Sequence, residues 1–133
     1  IIRRAGGAVL MIDYGGDVDF ASDTLQAVKA HEFHNIFDDV GDADLTAHVA
    51  FGRFKSMALV HGLSVFGCVP QGVFLQQLPI HLRAQSLIKQ NPQRHDEILS
   101  GLERLIAPDQ MGKLFQVLCV QSAHITQPPL GFL

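Results

Sequence analysis

The sequence has little charge, two cysteines and no long apolar run, and each shortage excludes a class of protein. Only 17% of the 133 residues are charged, while 47% are hydrophobic. A chain of this composition forms a packed core and is not mainly disordered. Its formal net charge is −3, and its lysines and arginines are scattered along the chain. This pattern offers no basic surface to nucleic acid or to an anionic membrane, so we expect neither as a partner.

No apolar segment approaches the roughly 20 residues that cross a bilayer. The longest, Ala8 to Ile12, has the length of a buried strand, and no membrane insertion is expected. The first residues, Ile1-Ile2-Arg3-Arg4, contain neither an initiator methionine nor a secretory signal, because no apolar stretch of signal-peptide length and no small-residue cleavage site follow them. We therefore expect the chain to be cut from a longer one.

The cysteines and four of the nine phenylalanines are predicted to lie in the core. Cys68 and Cys119 sit in separate apolar runs without a CxxC spacing, which favours reduced core thiols over a disulfide or a metal site. Four phenylalanines at helical or strand spacing are also predicted to be core residues rather than a cage for a ligand: Phe51, Phe54, Phe74 and Phe115.

Candidate metal ligands occur at two places, and both have a simpler interpretation. His31 and His34 lack the HExxH spacing of zinc enzymes, and no third ligand stands in obvious register with them. Three aspartates, Asp17, Asp19 and Asp23, crowd one loop, but the glycine and the distal glutamate of a calcium-binding loop are missing. Solvated histidines and Asx turns are the preferred interpretations, and no metal site is predicted.

Short apolar segments predict the strands of an α/β fold, at about residues 8–13, 63–69 and 114–120. The first is apolar throughout its length before Asp13, which is typical of a central strand that is buried on both faces. Three strands at most are predicted. Because three strands do not complete a sheet of this type, the missing neighbours are expected upstream of Ile1.

The segments between the strands predict helices with one long loop. The residues from Tyr14 to Gly41 are rich in turn formers and are predicted to form that loop, with one short helix near residues 24–31. A helix is predicted from Phe51 to His61, ended by Gly62. Further helices are predicted at about residues 73–78, 80–89 and 93–106, followed by a turn at 108–112 and a frayed tail from Gln121 onward.

Five blocks of the sequence resemble the MidA-like family, in the order and at the spacing of that family and over nearly the whole chain. The blocks are GGAVLMIDYG at residues 6–15, DTLQAV at 23–28, ADLTAHV at 43–49, QGVFL at 71–75 and MGKLFQVL at 111–118. The first block alone would be a weak signal, whereas five blocks in order are a specific one.

The resemblance implies the C-terminal portion of a class I, Rossmann-like, seven-stranded methyltransferase that depends on S-adenosylmethionine. The predicted strands look like its fifth, sixth and antiparallel seventh strands. Residues 1–133 would be the C-terminal part of a single methyltransferase domain, without its cofactor-binding N-terminal half. No GxGxxG or GxGxG motif occurs in the chain, so S-adenosylmethionine is expected to be bound mainly by residues upstream. No residue of this segment is predicted to bind the cofactor, and the segment alone is expected to be inactive.

The activity that the resemblance implies is methylation of an arginine in a partner protein during respiratory complex I assembly, with a complex I subunit as the protein substrate. The alternative is a non-catalytic protein-binding or assembly module of the same family. A third hypothesis is an unrelated small α/β binding domain that is complete at this length. The resemblance is compatible with a homodimer. It implies the mitochondrial matrix for a eukaryotic source and the cytoplasm for a bacterial one.

Five residues are predicted to contribute to the site. Asp13 and Tyr14 end a predicted strand, at the sheet edge where α/β proteins bind ligands. They are predicted to be catalytic residues, and a carboxylate such as Asp13 would orient the guanidinium of an arginine acceptor. His48 is predicted to be catalytic as a substrate-side or proton-accepting residue, with a structural histidine as the alternative. Thr46 and Gln71 are predicted to bind substrate, although Gln71 has the alternative of a hydrogen bond to the backbone.

Ala50 stands where the family usually has an acidic residue. An aspartate immediately before a helix caps its first turn and contributes about 1 kcal/mol. The alanine therefore predicts a weaker start to the helix at Phe51. If the acid of the family instead met substrate, its loss would affect activity.

Overall fold

The computed structural model describes residues 2–18 and 23–132. Asp19, one of the three loop aspartates considered above, lies outside these ranges. The elements in chain order are α1 (Ile2–Ala5), β1 (Ala8–Gly16), β2 (Gln26–Lys29), β3 (Glu32–His34), β4 (Asp44–Thr46), β5 (Val49–Ala50), α2 (Phe51–Val60), β6 (Leu63–Pro70), α3 (Gln71–Gln77), α4 (Ile80–Gln90), a 3₁₀ turn (Pro92–Arg94), α5 (His95–Ile106), α6 (Met111–Leu114) and β7 (Phe115–Ser122).

The larger sheet has the strand order β5-β1-β7-β6, in which β7 runs antiparallel to both of its neighbours. β1 pairs with β7 from Ala8 opposite Gln121 to Tyr14 opposite Phe115. The three strands expected from apolar runs are thus present, each slightly longer than predicted, and the α/β class is confirmed. The helices predicted after residue 50 are also found close to their expected bounds.

The core lies where α2 packs on β7. Phe51 and Leu118 are fully buried, and Ala58 and Val120 complete the cluster. These residues alternate along β7 and recur at helical spacing along α2, so one face of each element is removed from water. Burying a side chain the size of Phe51 or Leu118 contributes about 1.5–3 kcal/mol. Within the described ranges, no helix combines the length and the apolar character that crossing a membrane requires.

Close backbone approaches explain two of the five sequence blocks. A Cβ atom at Gly72 would lie 2.5 Å from the carbonyl oxygen of Ile106, and one at Gly112 would lie 2.2 Å from the same oxygen. Both glycines therefore let α3 and α6 pack against the end of α5, where a side chain would collide with backbone. The glycines of the QGVFL and MGKLFQVL blocks serve packing.

The prediction that β1 is buried on both faces was wrong. Val9, Leu10 and Ile12 are 43%, 49% and 43% exposed. On the edge of β1 that faces away from β7, only Gly15 and Gly16 have a partner strand among the described residues, and that partner is β5. An apolar run shows that a strand prefers burial, but it does not show which element covers the strand.

The prediction of three strands, with a loop and a short helix between Tyr14 and Gly41, was also wrong. A second sheet, with the antiparallel order β3-β2-β4, begins in this segment, and β2 lies where the short helix was expected. The hairpin between β2 and β3 turns at Ala30 and His31, whose φ angles are 51° and 67°. Two-residue hairpin turns need such positive angles and usually contain glycine or asparagine. The turn was missed because it contains neither glycine nor asparagine.

The C-terminal tail is packed, in contrast to the frayed tail that was expected. The side-chain amide of Gln121 donates hydrogen bonds to the carbonyl oxygens of Ile125 and Gln127, both at 3.0 Å. Further on, the ring of Phe132 lies 5.1 Å from that of Phe74. The turn expected at residues 108–112 covers only 108–110, because α6 begins at Met111.

Candidate functional site

The predicted site forms at the carboxyl end of β1, because a glycine lets the next strand come close. A Cβ atom at Gly15 would lie 2.1 Å from the carbonyl oxygen of Val49, so only glycine allows β5 to pair with β1 at this point. The approach brings His48, which precedes β5, beside the end of β1. The backbone N–H of His48 donates to Thr24 Oγ1 at 3.0 Å, which holds this segment in place.

A cavity of about 290 Å³, here called the Tyr14 cavity, opens between β1 and the three-stranded sheet. The three-stranded sheet turns one of its faces toward the cavity. Side chains of cross-strand neighbours point to the same side of a sheet, so this face carries two rows of side chains. Gln26 pairs with Thr46 in one row, and Val28 lies between Phe33 and Asp44 in the other. The residues that line the cavity are Tyr14, Gln26, Val28, Phe33, Asp44, Thr46, His48 and Leu114.

A second cavity of about 450 Å³, here called the Gly15 cavity, lies beside the first. It is lined by Gly15, His48, Pro108, Asp109, Gln110, Lys113 and Leu114. His48 and Leu114 therefore line both cavities, and the exposed imidazole of His48 stands between them.

Two side chains of the Tyr14 cavity are held by neighbours. The Tyr14 ring packs on Phe115, with ring centroids 4.4 Å apart at an interplanar angle of 50°. The side-chain amide of Gln26 donates to Thr46 Oγ1 at 3.0 Å. The Thr46 hydroxyl can still donate its own hydrogen to a ligand.

Tyr14, Thr46 and His48 come together, whereas the other two predicted site residues lie elsewhere. Asp13 projects from the opposite face of β1, since neighbouring strand residues alternate, and its Oδ1 accepts the backbone N–H of Tyr14 at 2.8 Å. Gln71 is only 6% exposed, and its amide donates to the carbonyl oxygen of Leu105 at 2.9 Å. Gln71 therefore makes the backbone hydrogen bond that was its alternative role. Asp13 lines neither cavity.

Five residues of the Tyr14 cavity were not anticipated, namely Leu114 and four residues of the three-stranded sheet: Gln26, Val28, Phe33 and Asp44. Asp44 belongs to the ADLTAHV block, and Gln26 and Val28 belong to the DTLQAV block, so the sequence contained a signal. The signal was not recognised because the segment was predicted to be a loop with a short helix. Without β2 and its register, nothing brings these residues to one face.

Three of the residues considered as metal ligands, Asp17, Asp23 and His34, make other contacts. Nζ of Lys55 lies 2.6 Å from Asp17 Oδ2, and Asp23 Oδ1 accepts the backbone N–H of Leu25 at 3.4 Å. Nε2 of His34 lies 3.3 Å from Asp39 Oδ2. Within residues 2–18 and 23–132, no three His, Cys, Asp or Glu side chains lie close enough together to bind a metal ion.

Both cysteines are free thiols, as predicted. The pKa of Cys68 is raised to about 11, mainly by burial and also by the charge of Asp17, while the charge of Lys55 opposes the shift. Burial also raises the pKa of Cys119. Both groups are protonated at neutral pH, so neither is a ready nucleophile.

The Phe residues divide between core and site. Phe51 and Phe74 are buried, as predicted, whereas Phe54 is 47% exposed and was wrongly assigned to the core. Phe115 is half-buried against Tyr14 and supports the site.

Comparison with known proteins defines the class. Residues 1–69 match the sequence model of a family described as "Putative S-adenosyl-L-methionine-dependent methyltransferase". The match covers more than half of the 133 residues. The chain belongs to this methyltransferase family, which confirms the MidA-like resemblance and excludes the hypothesis of an unrelated small domain.

Its relatives are more particular. The chain is 37% identical over 138 residues to the mitochondrial protein arginine methyltransferase NDUFAF7 homolog of Drosophila melanogaster, a match that covers 98% of this chain and 31% of that protein. It is 34% identical over 116 residues to the mitochondrial protein arginine methyltransferase NDUFAF7 of Homo sapiens, covering 86% of this chain and 26% of that protein. The chain thus spans less than a third of the length of these relatives.

A solved structure has the same fold. A protein of Burkholderia thailandensis in complex with S-adenosyl-homocysteine superposes with a TM-score of 0.79 at 26% sequence identity, covering 94% of this chain and 34% of that one. An uncharacterised protein from the same organism superposes with a TM-score of 0.80, also at 26% identity, covering 97% of this chain and 36% of that one.

No GxGxG-type loop occurs in the chain, and the glycines after Tyr14 lead into a bend at Asp17 rather than into a helix. Within residues 2–18 and 23–132, no such loop and helix present backbone amides to a nucleotide-like ligand after β1. What the chain provides is a polar, open cavity beside the end of β1.

Proposed function

We propose that this chain is the acceptor-side, C-terminal part of a protein arginine methyltransferase that uses S-adenosylmethionine and acts in respiratory complex I assembly, with a subunit of that complex as its substrate. One observation carries the proposal: Tyr14, Thr46 and His48, which were selected for their sequence context, line one cavity at the carboxyl end of β1. Family membership and the names of the relatives support the reaction class.

The sheet supports the proposal that further strands belong to the domain. The order β1-β7-β6, with β7 antiparallel, agrees with the fifth, seventh and sixth strands of a seven-stranded methyltransferase. The exposed Val9, Leu10 and Ile12 lie on a strand whose second edge is largely bare among the described residues. Residues upstream of this chain would pair with that edge and would hold the cofactor.

The residues of the Tyr14 cavity would bind and orient the acceptor. Methyl transfer is an in-line displacement, which needs alignment and exclusion of water more than strong acids or bases. When bound, S-adenosylmethionine supplies an electrophilic methyl group. Tyr14 and Thr46 would fix the acceptor side chain, and His48, at the junction of the cavities, would accept the proton that the nitrogen loses as its bond to carbon forms.

The proposal is tested with a fused protein, in which this chain replaces the corresponding segment of the Burkholderia thailandensis protein that was solved with S-adenosyl-homocysteine. Calorimetric titration should show that S-adenosylmethionine binds the fused protein and not this chain alone. The fused protein should transfer labelled methyl groups to arginine in a complex I subunit. Replacing His48 by alanine should lower kcat by roughly 100-fold, whereas His81→Ala, an exposed histidine on α4, should not change it.

Two results would count against the proposal. A folded fused protein that binds the cofactor but methylates no arginine would contradict the acceptor class. Tight binding of S-adenosylmethionine to this chain alone would show that the cofactor site had been placed wrongly.

A second candidate function, protein binding without catalysis, is favoured by one feature. α4 and α5 leave an open apolar groove of about 270 Å³ between them, lined by Ile80, Arg83, Ala84, Leu87, Ile98, Gly101, Leu102 and Leu105. Such a groove suits an apolar segment of an assembly client. Support of complex I assembly by the fused protein after its cofactor site has been destroyed would favour this function.

The compartment follows from the source. The relatives from animals are mitochondrial proteins by name. We propose the mitochondrial matrix if this chain is eukaryotic and the cytoplasm if it is bacterial. Separating mitochondria from cytosol and probing for the chain tests the first case.

A further inference from the structure

The Tyr14 cavity contains a carboxylate and an exposed aromatic ring to which no role has been assigned. We infer that Asp44 and Phe33 select the arginine side chain of the acceptor, an inference that rests on the proposed function. Val28 pairs with Phe33 on one side and with Asp44 on the other. The three side chains therefore form one row on the face of the sheet that lines the cavity.

Asp44 provides the charge. Among the described residues that line the cavity it alone carries a carboxylate, and it is exposed. No hydrogen-bond donor or cation within residues 2–18 and 23–132 pairs with this carboxylate. A guanidinium can donate two parallel hydrogen bonds to a carboxylate, and both groups remain charged at neutral pH. Asp44 thus takes the part that the sequence suggested for Asp13, which lies on the far face of β1.

Phe33 provides the apolar surface. It is 82% exposed although it lies within a strand, which is unusual for so large a ring. Neighbouring strands are spaced by about 4.8 Å, so Phe33 and Asp44 stand about 10 Å apart with Val28 between them. The alkyl stem of an arginine can cover Phe33 and Val28 while its guanidinium reaches Asp44.

The same geometry favours arginine over lysine. A lysine ammonium is a point charge that makes no paired contact with a carboxylate, whereas the planar fork of arginine does. The polar row beside Asp44, formed by Gln26 and Thr46, offers oxygen acceptors to the remaining guanidinium donors. We therefore expect recognition of the charged side chain itself, independently of the cofactor.

The test is an NMR titration of the ¹⁵N-labelled chain with the peptide acetyl-Gly-Gly-Arg-Gly-Gly-amide and with its lysine counterpart. The amide signals of Phe33, Asp44 and Thr46 should shift, and the arginine peptide should bind about threefold or more tightly than the lysine peptide. Asp44→Asn should weaken binding about tenfold, and Asp44→Glu should restore most of it. The matched control is Asp42→Asn, which removes the same charge at an exposed position outside the cavity.

Phe33→Leu reduces the apolar surface that the alkyl stem of the arginine would cover, so it should weaken arginine binding by about twofold. Asp44 is exposed on a short strand, so its variants should keep the dispersed spectrum of the folded chain. If Asp44→Asn unfolds, Phe33→Leu and Asp44→Glu carry the test. Equal binding of the two peptides, or equal losses at Asp44 and Asp42, would overturn the inference.

The fused protein distinguishes this inference from the proposed function. If it methylates the arginine peptide and Asp44→Asn leaves KM unchanged, the inference fails while the proposed function stands. If the cofactor-loaded protein methylates no arginine, the proposed function fails whatever Asp44 does. The expected result is an increase in KM of about tenfold for Asp44→Asn with a smaller change in kcat.

Discussion

β7 and the three-stranded sheet β3-β2-β4 use β-structure in opposite ways. Val117 and Leu118 of β7 are fully buried between paired strands and a helix. In the small sheet, Phe33 is 82% and Leu45 is 61% exposed. Strand hydrophobicity alone therefore does not separate structural strands from those that display side chains. The difference indicates that the large sheet holds the fold and the small sheet presents groups to a ligand.

The largest expected effect comes from removing a leucine in each region. Leu118→Ala leaves a cavity in the core and should lower the free energy of unfolding by about 2–5 kcal/mol. Leu45→Ala makes the same chemical change at an exposed position and should cost less than about 0.5 kcal/mol. Urea denaturation followed by circular dichroism measures both changes.

The two leucine variants test whether the two sheets differ in their contribution to stability. Similar losses at Leu45 and Leu118 would mean that the small sheet carries as much of the fold as β7 does. An effect at Leu118 alone would sharpen the division, because the small sheet could then be altered without loss of stability.

An intermediate effect is expected at a close backbone contact of the packed region. Gly112→Ala places a Cβ atom 2.2 Å from the carbonyl oxygen of Ile106 and 2.7 Å from that of Ala107. Relieving these overlaps requires α6 to move, so the variant should lose about 1–3 kcal/mol of stability, measured as a lower Tm.

The matched control for Gly112 lies in the neighbouring helix. A Cβ atom at Gly101 of α5 would have no neighbour within 4 Å. Gly101→Ala should therefore stabilise the protein by about 0.5–1 kcal/mol, through the helix propensity of alanine. A loss of stability in this variant would show that α5 is not packed as described.

The contrast between the regions also explains how far the sequence could predict the structure. The strands at residues 8–13, 63–69 and 114–120 were found because their apolar runs report burial directly. The exposure of Leu10 could not be predicted, since it depends on coverage by other elements. The small sheet was missed because Ala30 and His31 adopt positive φ without glycine or asparagine.

The candidate site, like the fold, was predicted only in part. Tyr14 was predicted from its place at the end of a strand and His48 from its place in the ADLTAHV block. The strand β5, which brings His48 beside β1, was not predicted. Phe33 and Asp44 reach the cavity only through cross-strand register, which a single sequence does not specify when its turn is atypical. Asp13 was predicted to act beside Tyr14, but its side chain lies on the opposite face of β1.

The smallest effect is expected at Ala50, where the segment that follows the small sheet enters α2. Ala50 occupies the N-cap position of α2, and no side chain caps the first turn of the helix. Ala50→Asp should add about 1 kcal/mol of stability, because its carboxylate can accept a free backbone N–H and lies at the positive end of the helix dipole. Thermal unfolding measures the gain, and Ala50→Asn is the control that caps without charge.

The Ala50 variants also decide between the two explanations for the acidic residue that the family usually has there. Ala50 lines neither the Tyr14 cavity nor the Gly15 cavity. Ala50→Asp should therefore raise Tm by a few degrees while leaving the affinity for the arginine peptide unchanged. A higher affinity for the arginine peptide without a higher Tm would instead mean that the acidic residue of the family contacts substrate. The start of α2 would then belong to the ligand-binding region.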